Sequence, residues 1–179
     1  MQFSDKDKIA PFLLTGFIVL LDQGIKMIIV KTITLYELAG KPVEVFGNDL
    51  LWIIHVRNRA IAFSIGHNMP EAIRPGLFIV LPIIVLGFLL WYYFKTQEFS
   101  PFQRWFVAGI IGGGMGNIID RIFRPDGVVD FISVKFYGLL GFERWPTFNI
   151  ADASVVVCCI ILLISIFISP RFAKNKESL

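Results

Sequence analysis

Two aspartates are the residues here that most invite a chemical reading. Asp130 lies in Val128-Val129-Asp130-Phe131, among apolar neighbours and with no adjacent base to neutralise it. Asp152 lies in Phe148-Asn149-Ile150-Ala151-Asp152, at the start of a long apolar run. Asn149 suits the cap of a helix beginning there, and a carboxylate three residues later is favoured by the helix N-terminus. Capping accounts for Asp152 alone and leaves Asp130 unexplained. Taken together they suggest a pair, because two carboxylates close together in a low dielectric share one proton. One member then activates water while the other polarises a carbonyl, as in aspartic proteases. Spacing does not show that the two segments meet.

Further polar groups stand where hydrocarbon is expected, and such groups usually face a bundle interior. Asp22 and Lys26 are four residues apart, on one helical face, with the acid N-terminal to the base. They read either as a self-neutralising structural pair or as participants in chemistry. Asn117, Asp120 and Arg121 follow a glycine-rich stretch and share a face. They form either a hydrogen-bonded knot at a helix end or one wall of a polar site. Gly109/Gly113 and Gly112/Gly116 are small-xxx-small pairs that admit another helix closely. Other chemistries have less behind them. His55 and His67 are the only histidines, and no set has zinc-ligand spacing. Nothing positions Ser64 or Ser133 against Lys26 or Lys135 as a Ser–Lys dyad.

Four apolar runs must carry these groups, at approximately 10–30, 75–94, 103–122 and 150–169. Each is long enough to cross about 30 Å of hydrocarbon as a helix. Trp91, Tyr92, Tyr93 and Trp105 are placed as interfacial anchors, and Pro170 ends the fourth run. The first run follows Lys6 and Lys8 as a signal peptide would, but lacks a clean cleavage site, so it is expected to be an uncleaved span. The long loop 31–74 contains Val43–Phe46 and Leu50–Val56 as expected strands around the turn Gly47-Asn48-Asp49, with Ala60–Ile65 as a third. In the loop 123–149, Val128–Tyr137 reads as a strand or an interfacial segment. The expected fold is therefore a single membrane-embedded domain over 1–179, mainly α, a four-helix bundle with a small β-sheet in the first outer loop resting on the membrane surface.

Composition agrees: 55% of the 179 residues are hydrophobic, 17% are charged, and mean hydropathy is +0.69. The excess of three positive charges fits lysines and arginines flanking spans, and no basic stripe interleaved with aromatics points to nucleic acid. Lys6, Lys8, Lys95, Arg171, Lys174 and Lys176 are packed into the short segments, with Arg104 just inside the third run. Lys31, Lys41, Arg57, Arg59, Arg74, Arg124, Lys135 and Arg144 are spread over the two long loops. By density both termini are cytoplasmic. Cys158 and Cys159 are adjacent in an apolar run and read as small core residues, with no structural disulfide. A transporter lined by Asp22, Lys26, Asp120 and Arg121 is the main alternative, but no internal repeat supports it. A non-catalytic scaffold is the other.

The ordered motifs carry a resemblance. Asp22-Gln23-x-x-Lys26, Asn58-x-x-x-Ala62-Phe63-Ser64, Gly116-Asn117-x-x-Asp120-Arg121, Val129-Asp130-Phe131 and Phe148-Asn149-x-Ala151-Asp152 occur in one order through nearly the whole chain. The chain resembles the bacterial lipoprotein signal peptidases, also called type II signal peptidases. The resemblance implies an intramembrane aspartyl endopeptidase that cuts prolipoproteins just before a cysteine carrying a diacylglyceryl group. It implies Asp130 and Asp152 as the catalytic dyad, and Asn58, Asn117, Arg121 and Asn149 around the dyad and substrate. It further implies Asp22, Lys26 and Asp120 in orienting and structural roles. Ala60 departs from the glycine usual in that motif, and the two loops flanking Asp130 look slightly long. Implied partners are diacylglyceryl-modified prolipoproteins and membrane lipid, with no metal or other cofactor and no nucleic acid. The expected setting is the bacterial inner membrane, the site near its outer face, the bundle acting as a monomer.

Overall fold

The computed structural model of the chain describes residues 5–39, 41–47, 49–59, 70, 73 and 75–168. Short α1 (Asp5–Ile9) leads into α2 (Phe12–Thr32), and a turn later comes α3 (Tyr36–Ala39). Strands β1 (Val43–Phe46) and β2 (Leu51–Asn58) follow. A π-helical turn at Gly76–Val80 opens into α4 (Leu81–Lys95), then come α5 (Pro101–Phe123), β3 (Val128–Val134) and α6 (Ile150–Ile168). Four helical stretches are long and apolar enough to cross a membrane. The last three match the expected runs to within about two residues, and the first runs on to Leu38, past the expected end at 30. The stretch Ala60–Ile65, expected as a third strand, and the motif residues Ala62, Phe63 and Ser64 lie outside the described residues.

Among the described residues, a third strand of the sheet comes from the second long loop. The order is β1-β2-β3, all antiparallel, with Arg57 opposite Val129 and Leu51 opposite Val134. Alternation alone left 128–134 undecided because β3 is buried on both faces over most of its length, and such a strand loses its period-two signature. One face of β3 is seated on the first span: Val129 and Phe131 form a buried cluster with Ile29, flanked by Ile25 and Ile33.

Helix α5 is the centre of the bundle, and its glycines explain how. A Cβ at Gly112 would stand 3.0 Å from the backbone of Thr15 in α2, and one at Gly113 would stand 2.6 Å from Val155 in α6. The missing side chains thus let two neighbours lie against α5 at once. Thr15 Oγ1 donates to Ala108 O at 2.6 Å across the same contact. Ser100 and Gln103 cap α5 reciprocally at its start. At that end Arg104, fully buried, donates to the carbonyls of Tyr93 and Thr96 and so ties α5 to the last turn of α4.

Candidate active site

At the opposite end of α5 the polar residues converge. Asn117 and Asp120 leave the helix on its inner side. Asp120 is fully buried, with one oxygen 3.0 Å from Lys26 Nζ. Lys26 Nζ also lies 2.8 Å from Asp22 and donates to Asn117 Oδ1 at 3.1 Å. Arg124, one turn beyond Asp120, pairs with its other oxygen. Two acids therefore face two bases, with Asp22, Lys26 and Asp120 fully buried and Arg124 at the edge. The expected Asp22–Lys26 pair is present, as the core of a larger cluster.

Each acid of that cluster also holds a backbone N–H. Asp22 Oδ1 accepts from Ala151 N at 2.9 Å, and Asp120 Oδ2 accepts from Val129 N at 3.0 Å. Ala151 immediately precedes Asp152, and Val129 immediately precedes Asp130. The first turn of α6 and the middle of β3 are thus anchored to one buried lysine. Gln23, quoted above within a motif but given no role there, adds bonds from its amide to Asp22, Asp120 and the carbonyl of Gly116. Its neighbour Asp22 was the available signal. The acceptors' partners had none, because every residue has a backbone N–H.

Asn149 caps α6 as expected: its Oδ1 accepts from Asp152 N at 2.9 Å, and Asp152 Oδ2 accepts from Asn149 N at 3.2 Å. The same side chain reaches the other aspartate, with Asn149 Nδ2 donating to Asp130 Oδ1 at 2.7 Å. Asn58, the last residue of β2, donates to Asp130 Oδ2 at 2.9 Å. Asn117 Nδ2 donates to Asp152 Oδ1 at 2.7 Å. Every oxygen of the two carboxyls has a donor. Gly127 serves this arrangement: at φ +103 it takes a conformation closed to most residues, and a Cβ there would meet the carbonyl of Asn58 at 2.5 Å. Burial, and then the neighbouring Asp152 charge, push the Asp130 carboxyl up to about 7, against the opposing pull of Asn58, Asn149 and Lys26.

Both carboxyls open onto one cavity of about 1300 Å³. Asn58, Asn117 and Arg121 share its lining with Asp130 and Asp152. Phe148 and the α6 residues Val155 and Val156 make an apolar wall, and Val156 is more than half exposed on the flank of the helix. The cavity therefore reaches from charged groups to the surface that lipid would cover. Among the described residues, no group of three His, Cys, Asp or Glu side chains is arranged to hold a metal ion.

The family model described as signal peptidase (SPase) II matches residues 14–168. The chain belongs to the signal peptidase II family. Its relatives include a lipoprotein signal peptidase of Treponema pallidum (strain Nichols), 47% identical over 97% of this chain and 91% of that protein. One of Borrelia duttonii (strain Ly) is 42% identical over 99% of each chain. The fold resembles a solved bacterial membrane enzyme determined by the in meso method at 2.3 Å, with a TM-score of 0.72, 28% identity, and coverage of 88% of this chain and 87% of that one. A second such structure at 1.9 Å also gives 0.72, covering 89% and 93%. The chain is thus a multi-pass membrane peptidase of this family; of its motif residues, Asn58, Asn117, Arg121, Asp130 and Asp152 line one cavity, whereas Phe131 packs on Ile29.

Proposed function

We propose that the chain removes signal peptides from prolipoproteins whose cysteine carries a diacylglyceryl group, using Asp130 and Asp152 to activate water. The observation that carries this reading is Asn149, one side chain hydrogen-bonded to Asp130 and to the backbone of Asp152 at the head of an open cavity. Asp130, lifted to about 7, holds its proton below neutral pH. Asp152 sits at a helix N-terminus, where negative charge is favoured. Asp152 takes a proton from water as the oxygen attacks the carbonyl preceding the cysteine, and Asp130 gives its proton to the carbonyl oxygen. The resulting gem-diol collapses as its proton returns to Asp130 and the departing amide nitrogen receives the proton held by Asp152. One water is consumed, and one carboxyl and one amine are released.

Asn58, Asn117 and Asn149 hold the two carboxyls in place, and Arg121 faces the cavity where a substrate carbonyl would lie. Asp22, Lys26 and Asp120 support both from beneath. The apolar flank of the cavity suits acyl chains that never leave the bilayer. The reaction needs no cofactor, and the bundle acts as a monomer. The density of lysine and arginine puts both termini in the cytoplasm and the dyad near the outer face of the bacterial inner membrane. The test is cleavage of a diacylglyceryl-modified prolipoprotein in detergent, followed on a gel. Asp130→Asn and Asp152→Asn each abolish release of the signal peptide while the protein stays folded. Full cleavage by either variant overturns the dyad.

A further inference from the structure

The sheet ends in two hairpins that lie side by side. Leu51 pairs with Val134, so the turn between β1 and β2 abuts the loop that leaves β3. Asp49 clasps them: Lys135 Nζ lies 2.6 Å from its carboxylate, and Arg144 donates to its carbonyl at 2.8 Å. The loop is closed on itself by Phe136 N to Glu143 O and Gly138 N to Phe142 O, and Phe136 and Phe142 pack on Trp145. This is a built structure, and its end is apolar. Tyr137 is 67% exposed, Leu139 61%, Leu140 75%, and Phe46 on the neighbouring hairpin 66%.

The backbone there is also strained. Tyr137 and Leu140 have φ of 51° and 55°, a region that bulky L residues seldom enter. Two ordered turns thus hold large apolar side chains outward, a conformation that gains nothing from water. A bilayer is the occupant that fits. The sheet rests on Ile29 of the first span through Val129 and Phe131, and Ile28 and Val30 beside Ile29 are exposed on that helix. The sheet is therefore seated against a helix whose open flank lipid covers. Behind the apolar end stand Lys135, 5.4 Å from the Tyr137 ring, and Arg144, 3.7 Å from the Trp52 ring. Aromatic and basic side chains in that order match the headgroup level of a membrane.

We propose that Phe46, Tyr137, Leu139 and Leu140 dip into the headgroup–acyl boundary of the bilayer that the helices cross, making the paired hairpins a lipid anchor for the sheet. The anchor sets the height of β3, and with it that of Asp130. It stands apart from the hydrolytic reading, since its test reads depth and not turnover. Nitroxide labels are placed singly at Phe46→Cys, Leu139→Cys and Leu140→Cys in a background of Cys158→Ala and Cys159→Ala. The full chain is reconstituted in phosphatidylethanolamine–phosphatidylglycerol vesicles, and relaxation by oxygen is compared with that by a water-soluble nickel chelate. Met27→Cys, on the exposed side of α2, is the hydrocarbon reference, and free label in buffer the aqueous one. The expected oxygen-to-nickel ratio at the three hairpin sites is severalfold above the aqueous value, approaching that at Met27. The aqueous ratio at all three overturns the anchor. Dipolar broadening between Leu140→Cys labels on different molecules also overturns it, because a second copy then covers the patch.

Discussion

Replacing Asp130 with asparagine separates the cost of burying a carboxyl from its use. The carboxyl is 2% exposed and sits near pH 7 instead of its ordinary 3.8. Between those values the folded chain holds a proton that the unfolded chain has released, so stability is greatest below about pH 4 and is lost as pH rises to about 7. The interval corresponds to about 4 kcal/mol. Asparagine is neutral throughout and escapes that loss, but it brings a cost of its own. Asn58 and Asn149 both donate to Asp130, and an amide can accept from only one of them, leaving two donors facing each other at about 1–3 kcal/mol. The variant is therefore less stable than the parent at pH 4 and more stable by about 1–3 kcal/mol at pH 8. Thermal unfolding in detergent across that range, for parent and variant side by side, measures the difference curve. Carboxyls other than Asp152, whose charge acts on Asp130 directly, titrate alike in both proteins and cancel. Parallel curves, with no crossing between pH 4 and 8, would refute the raised carboxyl and the proton-donor role built on it.

Other perturbations follow from the same geometry. Peptidase activity of the parent falls as pH rises past about 7, where Asp130 loses its proton, and a flat profile to pH 9 contradicts its role as the acid. Lys26→Met leaves Asp22 and Asp120 buried beside each other with one base removed, at about 3–5 kcal/mol; thermal unfolding and yield of folded protein report it. Gly113→Ala drives a methyl against Ala151 and Val155, shifting the turn that bears Asp152, with about 1–3 kcal/mol lost and turnover reduced in the gel assay. Gly24→Ala, with no atom within 4 Å of the added carbon, is the matched control and is neutral or stabilising by up to about 1 kcal/mol. Arg104→Ala strips the donors from two buried carbonyls at the far end of the bundle and lowers stability by about 2 kcal/mol or more, while the surviving folded protein keeps its pH profile.

What could be read in advance divides along physical lines. Apolar runs of helix length announce themselves: the last three spans lie within about two residues of where hydropathy puts them, and the first ends later, at Leu38. Asn149 reads as a cap because capping is local, and the Asp22–Lys26 pair because it lies within one helix. The meeting of Asp130 with Asn149 is different in kind. It depends on β3 pairing with β2, some seventy residues earlier, with Val56 opposite Asp130, and on a strand buried too completely to show alternation. The ordered motifs indicated that these residues act together without indicating how. The route, through Asp22 to Ala151 N and Asp120 to Val129 N, runs through main-chain donors that no residue type reveals.

The pairing within the buried cluster has a consequence for how the chain enters a membrane. Lys26 has Asp22 one turn before it, and Asp120 has Arg124 one turn after it. α2 thus carries its own counter-ion when it leaves the insertion machinery, before α5 has been made, and α5 carries its own before the two have docked. A lone charge at mid-bilayer costs about 2.5–3.5 kcal/mol even on insertion scales, and an i,i+4 partner reduces that cost while the span waits. Asp120 then keeps Arg124 on one oxygen and gains Lys26 on the other when α5 docks on α2. The cluster works as a latch between two segments that were each electrically self-contained during synthesis.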